Sequence, residues 1–393
     1  MVLFIVLSSA LVWLSYRSFR GGRDYLEFFK RELTGRKSNF TPFVTVVTPC
    51  RGIDLQLKEN LNAVIRQEYP AFEVIFVVDD MNDPAVSVIN GIHANNGRLI
   101  LAPKARNSSQ KVENLRAAVL HAHPDSEVFA FVDSDVRPST SWLQDLVSPL
   151  SDPSVGATTG YRWFVSSHAS VASELRSVWN ASIASALGPR TESNFCWGGS
   201  MAISRRIFKE LAIRDRWDGS VSDDFTVTKV IKESGLKIVF VPGALTASEG
   251  DCTFLEMLEF TTRQMKLTRV YARDLWINSL LGSAIFVGVM SSTAIVLGFS
   301  AGVYIRLFAA TVVLLVCIFS VGKAWLRLEA VRLALPGCVR EVKAQRFANL
   351  TLWLFTPAIF LYNSVAALFS RRIVWRGITY ELKSPTETVI IPD

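Results

Sequence analysis

Two aspartates one residue apart, Asp133 and Asp135 in the stretch FVDSDVRPS, are the residues of this sequence that most clearly suggest chemistry. They directly follow an apolar run, and alternate residues of an extended chain share one face, so both carboxylates would point the same way. Two like charges that close repel each other. The usual remedies are a divalent cation held beside them or one carboxylate that stays protonated.

Two further acidic pairs stand at the ends of apolar or amphipathic runs. Asp79 and Asp80 end FEVIFVVDD, and Asp223 and Asp224 open SDDFTVTKVIKESG. Each pair has an ordinary alternative, either a turn after a strand or the cap of a helix, for which Ser222 is the more natural residue. Three acidic sites that all fall at the ends of elements are explained more simply by one shared cleft than by chance. We therefore expect them to meet.

The elements that must position these acids are short apolar strands separated by helical or turn-rich stretches. The apolar runs are FVTVVTP, FEVIFVVDD, RLILAP, EVFAFVDSD and LKIVFVP. Between the first two, Leu57, Leu61, Val64 and Ile65 lie on one helical face. Such alternation predicts an α/β domain over residues 40–250 with a parallel sheet covered on both faces. Ligands of these sheets collect at the carboxyl ends of the strands, where the aspartates fall.

Two weaker signals accompany the acids. Lys111 and Asn114 in SQKVENLRAAV lie one helical turn apart, which suits either a solvated helix start or contact with a base or phosphate. Gly198 and Gly199 in CWGGSMAISRR would let a backbone approach a ligand closely, although two glycines more often form a plain turn.

A cationic stripe follows the α/β domain. Within residues 251–275, Arg263, Lys266, Arg269 and Arg273 recur at steps of three, three and four, which lines one side of a helix with positive charge. One interpretation is an amphipathic helix lying against lipid headgroups. The other directs the first two cations at a pyrophosphate. Both can hold, because the segment directly precedes a long apolar run.

Apolar segments at both ends predict membrane insertion. The first 16 residues are uncharged and basic residues begin at Arg17, which predicts an N-terminal anchor over 1–20. A signal peptide would carry its positive charge before the apolar run. Since juxtamembrane Lys and Arg are retained in the cytoplasm, we expect the C-terminal flank of the anchor on that side. Residues 276–370 predict further membrane-embedded helices, with a turn within 298–302.

The last apolar run, 347–370, leaves the topology open. Pro357 interrupts it, and the basic tail 371–393 favours the cytoplasm, yet a single crossing would place that tail outside. Either the segment re-enters the membrane and returns, or the charge rule fails here.

Charge and cysteine content narrow the class of function. The net charge of +7 could suit nucleic acid, but much of the basic excess flanks apolar segments, where topology and anionic lipid explain it. We therefore expect no nucleic-acid partner. The cysteines form no close pair and no metal-ligand spacing, which suits a reducing cytoplasm.

As a set, the motifs resemble those of the ceramide glucosyltransferase-like family and its bacterial relatives. The similar stretches are VTVVTPCRGIDLQLKENL, YPAFEVIFVVDDMNDPA, KVENL, VDSDVRP, SDDFTVTKVI and WRGITYEL. The resemblance covers nearly the whole chain. It implies a GT-A (Rossmann-like) glycosyltransferase domain in an integral membrane protein, with the catalytic domain in the cytoplasm.

The resemblance also implies roles for individual residues. Asp80 would contact the uridine of a UDP-sugar, Asp133 and Asp135 would hold Mg or Mn, most directly through Asp135, and Asp224 would be the general base. The donor-binding residues implied are Pro49, Asp80, Lys111, Asp133, Gly198 and Gly199, and the catalytic ones are Asp223, Asp224, Arg263 and Lys266.

One family motif departs from its usual form. The pattern (Arg or Gln)-x-x-Arg-Trp appears here as RQMKL, with Lys266 in place of Arg and Leu267 in place of Trp. Arg263 and Lys266 would still supply cations to the leaving diphosphate together with the metal. Asp224 would take the proton of the acceptor hydroxyl as it attacks the anomeric carbon, with inversion.

The membrane segments favour a lipid acceptor, such as the hydroxyl of ceramide, a sterol-like lipid or a diglyceride, with glucose as the sugar that the resemblance implies. A processive polysaccharide synthase would share the acidic sites, but it would normally carry the intact motif and more spans. A transporter or scaffold with an inert cytoplasmic domain is the alternative from another class. Against it, the apolar spans contain almost no ionisable residues to line a pathway.

Overall fold

A computed structural model describes residues 1–35, 38–92, 94–166, 170–300 and 302–392. The strands are β1 Val44–Pro49, β2 Phe72–Val78, β3 Gly97–Leu101, β4 Val128–Val132, β5 Val155–Val165, β6 Ser200–Ser204, β7 Lys237–Glu249, β8 Arg372–Trp375, β9 Ile378–Ser384 and β10 Glu387–Ile391. The α-helices are α1 Val2–Thr34, α2 Leu57–Ile65, α3 Pro84–Asn90, α4 Gln110–Ala118, α5 Trp142–Val147, α6 Val171–Ala184, α7 Arg205–Glu210, α8 Ile213–Arg216, α9 Asp223–Glu233, α10 Phe254–Tyr271, α11 Arg273–Phe299, α12 Val303–Ala334, α13 Val339–Ala344, α14 Arg346–Thr351 and α15 Thr356–Phe369.

The central sheet has the strand order β3-β2-β1-β4-β6-β5-β7. Strands β1 to β4 run parallel to one another, as do β5 and β7, which confirms the α/β class. The expectation of a purely parallel sheet was wrong, because β6 pairs antiparallel with both β4 and β5. Strand β6 lies in the glycine-containing stretch CWGGSMAISRR, where only five residues carry the strand pattern.

Alternating side chains of the central strands form two separate cores, one on each face of the sheet. On β4, Val128, Ala130 and Val132 pack into one core, and Phe129 and Phe131 pack into the other. Strand β2 divides its side chains in the same way. Because both faces are covered, the strands read as continuous apolar runs, as the sequence predicted.

Three helices, α1, α11 and α12, are long and apolar enough to cross a membrane. The ends of two of them are built into the core of the α/β domain: Phe29 of α1 is fully buried and its ring centroid lies 5.8 Å from that of Phe240 in β7. Val331 and Ala334 of α12 belong to the same core. The α/β domain is therefore attached directly to the spans rather than tethered by a linker.

The last apolar segment is a bent helix pair. The helical stretch 346–354 meets α15 at an angle of 57°. At its start, the side chain of Gln345 accepts a hydrogen bond of 2.9 Å from Trp163 Nε1 and donates one of 3.0 Å to the carbonyl of Phe164. At its end, the chain enters β8 beside the same domain. Both ends of the bent pair thus contact the α/β domain, and a bend of this size is typical of either a broken span or a re-entrant segment.

Residues 371–393, predicted only as a tail, contain a three-stranded antiparallel sheet of order β10-β9-β8. This sheet packs on the α/β domain. The Tyr380 hydroxyl accepts a hydrogen bond of 3.1 Å from the backbone N–H of Gln110, and Thr388 Oγ1 donates one of 2.8 Å to the carbonyl of Gly219. The C-terminal sheet therefore forms part of the wall around the carboxyl ends of the strands.

Candidate active site

A cleft of about 610 Å³ opens at the carboxyl ends of β1 and β4. It is closed on its other sides by α6, α9, α10 and the C-terminal sheet. The residues that line it and bear on its chemistry are Pro49, Arg51, Asp54, Lys111, Asn114, Asp133, Asp135, Arg162, Trp197, Asp223, Asp224, Arg263, Trp375 and Arg376. Two of the three predicted acidic sites therefore meet in one cavity.

Lys111 joins two of these carboxylates. Its Nζ atom lies 2.8 Å from Asp133 Oδ1 and 3.3 Å from Asp223 Oδ1. Burial alone would raise the pKa of Asp133, but the Lys111 ammonium together with Arg162 and Arg376 outweighs burial and holds that pKa below its ordinary value. At Asp223 burial wins, with Asp224 and Asp133 adding to it, and raises the pKa to about 7 despite the same lysine.

Asp135 faces Arg162 rather than Lys111. Its Oδ2 atom lies 3.3 Å from Arg162 Nη1, whereas Oδ1 is enclosed and has no hydrogen-bond partner among the described residues. Burial, with the negative charges of Asp133 and Asp54 added, raises the pKa of Asp135 above its ordinary value even though Arg162 opposes this. An enclosed carboxylate oxygen that lacks a donor is a position that a cation can fill.

Asp224 is fixed at the first turn of α9. Its Oδ1 accepts hydrogen bonds from the Ser222 hydroxyl and, at 2.8 Å, from the backbone N–H of Phe225. Its Oδ2 accepts one of 3.2 Å from the backbone N–H of Gly198. Ser222 caps the helix, as predicted, and an acid in the first turn also suits the helix dipole. Asp224 is half-buried, whereas its neighbour Asp223 is only 2% exposed.

The glycine pair packs against these acids. A Cβ atom on Gly198 would lie 2.0 Å from Asp223 Oδ2, and one on Gly199 would lie 2.7 Å from Asp133 Oδ2 and closer still to the ring of Trp197. The pair therefore allows the chain to approach the carboxylates closely. Close approach of this backbone to a ligand stays a prediction.

Comparison with known proteins identifies the family. The sequence profile of glycosyl transferase family 21 matches residues 3–388. The chain belongs to glycosyl transferase family 21. The resemblance to the ceramide glucosyltransferase-like family is thereby confirmed, and the family 21 chain is a glycosyltransferase.

Individual relatives of the family 21 chain are distant. A ceramide glucosyltransferase of Candida albicans is 31% identical over 124 residues, which are 28% of this chain and 22% of the relative. A mannosyltransferase from Pyrobaculum calidifontis, solved with GDP-Man and Mn2+, is 17% identical with a TM-score of 0.48 and covers 93% of this chain and 99% of its own. GalNAc-T7, solved with UDP, GalNAc and Mn2+, is 15% identical with a TM-score of 0.41 over 58% and 51% of the two chains.

Four predicted site residues of the family 21 enzyme lie outside the cleft lining: Gly198 and Gly199, which pack behind the acids, and Asp80 and Lys266. Asp80, at the end of β2, is 49% exposed at its side chain, and Lys104 Nζ lies 3.8 Å from it. Asp79 is the buried member of that pair and accepts from Arg51 at 2.9 Å. Lys266 donates at 2.7 Å to the backbone carbonyl of Arg372, so its ammonium does not reach into the cleft.

The cationic stripe of α10 binds backbone carbonyls of the following segments. Arg263 donates to the Val374 carbonyl at 3.3 Å, and Lys266 to that of Arg372. Arg269 donates to the last carbonyls of α15, where a cation also suits the helix dipole. Of the two interpretations, a pyrophosphate contact stays open for Arg263 alone, because Arg263 also lines the cleft.

Sequence reasoning missed four further cations in the cleft, Arg51, Arg162, Arg176 and Arg376, of which Arg162 and Arg376 bear most on its chemistry. Arg162, on β5, stacks over the rings of Trp197 and Phe260, with its guanidinium carbon 5.1 and 5.4 Å from the ring centroids. Arg376, on the turn between β8 and β9, lies 2.7 Å from Asp54. The sequence did carry a signal for Arg376, because this residue belongs to WRGITYEL, one of the stretches on which the family resemblance depends. Arg162 carried no local signal, because its role depends on β5 lying beside β6.

Arg376 occupies a strained position. It and Gly377 both have positive φ, of 52° and 77°, in the two-residue turn that joins the paired residues Trp375 and Ile378. Such turns favour Asn and Gly, and a large side chain there costs of the order of 1 kcal/mol. The ring of Trp375 lies between two cations. Its centroid is 5.9 Å from Lys111 Nζ and 5.8 Å from the guanidinium carbon of Arg263. The C-terminal sheet thus brings a Trp-Arg pair to the cleft of an enzyme whose α10 motif lacks one.

Metal binding by protein side chains alone is not supported by the geometry. Among the described residues, no three His, Cys, Asp or Glu side chains cluster in a way that could hold a metal ion. Asp135 fits a different arrangement, in which one or two carboxylates and the diphosphate of the donor share the coordination of a cation.

Proposed function

We propose that this enzyme transfers a hexose, most simply glucose, from a UDP-sugar to the hydroxyl of a membrane lipid such as ceramide, with inversion at the anomeric carbon. One observation carries the proposal. The cleft that contains Asp224 is walled by α10, and α10 leads through Ala272 alone into α11, which is long enough to span a membrane. An acceptor hydroxyl at the level of the lipid headgroups is therefore close in the chain to the acid that would deprotonate it.

Asp224 is the better candidate for the general base. A base must be reached by the hydroxyl that it deprotonates, and Asp224 is half-buried at the cleft whereas Asp223 is enclosed beneath Gly198. The Ser222 hydroxyl and two backbone N–H groups donate to the Asp224 carboxylate and fix its orientation. Asp223 would act indirectly by holding Lys111. A single displacement with one base gives inversion.

The donor diphosphate would lie among the cations of the cleft. Arg162, Arg263 and Arg376 line the cavity, and no ion pair engages Arg263 in the described part of the chain. Burial lowers the pKa of Arg263 to about 10, and the neighbouring guanidiniums of Arg162 and Arg376 add to this effect. A bound anion would relieve the repulsion between these guanidiniums. Pro49, Lys111, Gly198 and Gly199 would bind the donor around it, and Asp80 would lie at the uridine end.

Asp135 and Asp133 would hold the divalent cation, Mg or Mn, with Asp135 as the direct ligand because its Oδ1 lacks a donor. When bound, that cation would supply positive charge for the leaving diphosphate. Asp133 already forms an ion pair with Lys111 and would contribute mainly by positioning the other side chains of the site. We further propose that the catalytic domain faces the cytoplasm, since basic residues flank the spans on its side.

Reconstitution tests this function. The purified chain, in nanodiscs that contain ceramide, a sterol or diacylglycerol, would be incubated with labelled UDP-glucose, UDP-galactose or GDP-mannose, and the lipid phase extracted. We expect one β-linked hexose per lipid from the α-linked donor. A retained anomeric configuration would exclude the single displacement, a polymer would favour a processive synthase, and no transfer with any donor would favour an inert domain.

Asp224→Asn separates the reaction from folding. We expect transfer to fall by ~10³-fold, because positioned bases typically contribute 10²–10⁴-fold. Asp125→Asn is the matched control, since Asp125 precedes the amino end of β4, whereas the cleft lies at the carboxyl end, and its side chain is 81% exposed. Normal turnover by Asp224→Asn would remove the base assignment, provided that the control and the variant unfold at the same temperature as the natural chain.

A further inference from the structure

A second cavity, of about 850 Å³, lies between α1, α12 and the segment 185–193 of the catalytic domain. It shares no lining residue with the active-site cleft. The reaction proposed above makes no use of it.

The cavity is strongly basic. Five cationic side chains and one carboxylate line it, namely Arg17, Arg20, Arg190, Lys323, Arg327 and Asp24. Within the described ranges, none of these cations forms an ion pair. Five uncompensated cations around one cavity favour an anionic occupant, because like charges at this density repel each other without one.

Two polar groups in its wall are buried without partners. Arg327 is 5% exposed, and although one of its nitrogens donates to Asn349 Oδ1 at 3.1 Å, its Nε has no partner in the described part of the chain. The hydroxyl of Tyr25, 4% exposed, is likewise unpaired. Lys323 donates only to the Ser18 hydroxyl, at 2.8 Å. Buried donors are normally satisfied, so the Arg327 Nε–H and the Tyr25 hydroxyl call for an acceptor, and the half-buried Lys323 ammonium has further donors for the same group.

The rim of the cavity is apolar on one side and lies where the membrane surface is expected. Trp13 and Tyr16 of α1 are 55% and 43% exposed, as in the aromatic belt of membrane proteins, and they line the cavity with Leu14. Arg17 follows directly and stacks over Trp13, with its guanidinium carbon 4.9 Å from the ring centroid. The cations thus begin where the apolar part of the span ends.

The segment that carries Arg190 is held in place. The side chain of Asn194 accepts from the backbone N–H of Gly188 at 2.9 Å and donates to its carbonyl at 2.9 Å. The Ser193 hydroxyl and backbone N–H both donate to the carbonyl of Arg190, at 3.0 and 3.2 Å. This wall of the cavity is therefore formed before any ligand binds, which reduces the entropy cost of binding.

We propose that the cavity binds the phosphate headgroup of an anionic phospholipid from the leaflet on the catalytic-domain side. The phosphate oxygens accept from Arg327, Lys323 and the Tyr25 hydroxyl, Arg17 and Arg190 close the outer side, and the acyl chains lie along Trp13 and Leu14. A lipid satisfies both the buried donors and the exposed apolar rim, whereas free phosphate satisfies only the donors. Bound there, it joins the ends of α1 and α12 to the catalytic domain.

Binding is tested on the purified full-length chain in a neutral detergent. The thermal unfolding midpoint is titrated with phosphatidylglycerol, with phosphatidylcholine and with inorganic phosphate. We expect phosphatidylglycerol alone to raise the midpoint in a saturable way. The variant Arg190→Gln, in an exposed position, is expected to bind about fivefold more weakly, since one cation near a membrane surface contributes about that factor. The double variant Arg190→Gln/Lys323→Gln is expected to bind more than tenfold more weakly.

Arg340→Gln is the matched control, because Arg340 is exposed on α13, on the same side of the membrane and outside the cavity, and its loss changes net charge equally. It should bind phosphatidylglycerol as the natural chain does. An equal shift with phosphatidylcholine, a full shift with inorganic phosphate, or unchanged affinity in Arg190→Gln would each overturn the proposal. None of these readouts depends on sugar transfer, so they are independent of the proposed function.

Discussion

The ammonium of Lys111 lies 2.8 Å from Asp133 Oδ1, inside a cleft where guanidinium and carboxylate groups from other segments also meet. The same Nζ atom lies 3.3 Å from Asp223. Burial alone would lower the pKa of Lys111, but these acids and Asp224 outweigh burial and raise it above its ordinary value. One cation thus neutralises two acidic sites that come from distant parts of the sequence.

Removal of that cation should destabilise the fold. Lys111→Met leaves two carboxylates without their partner, and breaking such a partly enclosed network typically costs ~3 kcal/mol of unfolding free energy. The thermal unfolding midpoint in detergent measures the loss. Because Lys111 holds the pKa of Asp133 low, its stabilisation is present above the ordinary Asp pKa and is lost as the pH falls. The difference between the two proteins should therefore shrink below about pH 4.

Lys229→Met is the control for this variant, since Lys229 forms only an exposed pair with Glu233, at 3.8 Å. Its effect should stay within about 0.5 kcal/mol. A Lys111→Met protein as stable as this control at pH 7 would mean that the network contributes nothing.

Asp223 should give stability a pH dependence of the opposite sign. Its folded-state pKa is raised to about 7, so ionisation above the ordinary Asp pKa costs the folded state stability. Asp223→Asn removes this cost. In the presence of chelator, the stability of the variant relative to the natural chain should rise as the pH increases from about 4 to about 7 and stay constant above that. A relative stability that is flat from pH 4 to pH 8 would contradict the raised pKa.

Gly198→Ala should lose both stability and activity. Its Cβ would lie 2.0 Å from Asp223 Oδ2, so either the acid or the chain must move, and overpacking of this kind costs about 1–3 kcal/mol. The Gly198 N–H that orients Asp224 would move with it. Gly337→Ala is the matched control, because nothing lies within 4 Å of a Cβ there. Equal unfolding midpoints and equal transfer rates for the two variants would refute the close packing.

Arg376→Asn should lower activity while leaving the C-terminal sheet folded. Asn suits the left-handed turn that Arg376 occupies, so the hairpin is retained while the guanidinium is removed. We expect kcat/KM for the donor to fall by ~10²-fold, the usual effect of losing one charge-stabilising group. Arg371→Gln is the control, since its side chain binds only the Lys383 carbonyl, at 3.0 Å. Unchanged kinetics for Arg376→Asn would place this arginine outside the reaction.

Chelation should stop transfer, and added Mg or Mn should restore it. Asp135→Asn should lose transfer even with added metal, and it should also lose the rise in unfolding midpoint that Mn2+ gives the natural chain together with UDP. In chelator, the thermal unfolding midpoint of Asp135→Asn should not lie below that of the natural chain. Burial raises the pKa of Asp135, so the ionised carboxylate already destabilises the folded state of the natural chain. Full transfer in chelator would remove the metal from the mechanism.

Several features of the chain follow from the sequence alone because short-range patterns encode them. Alternating apolar residues in β2 and β4 fix which side chains enter each core, whatever else surrounds them. The helix of Leu57, Leu61 and Val64 is present as predicted, with all three side chains buried. The uncharged segments became long helices, and the acids stand at strand or helix ends. Each of these depends on residues within one element.

Tertiary structure decided which of those residues share a site. Asp133 and Asp224 meet, whereas Asp80 stays outside the cleft lining and Lys266 turns to a backbone carbonyl. Arg162 and Arg376 enter the cleft only because β5 pairs with β6 and the C-terminal sheet folds back on the catalytic domain.

The packing of the C-terminal tail on the α/β domain was likewise decided by contacts between distant segments, at Gln345 and Tyr380, and not by the charge of the tail itself. Periodicity is a property of neighbours in the chain, so the sequence alone carries it. Charge pairing in a cleft depends on distances between segments far apart in sequence, and only the folded chain sets those distances.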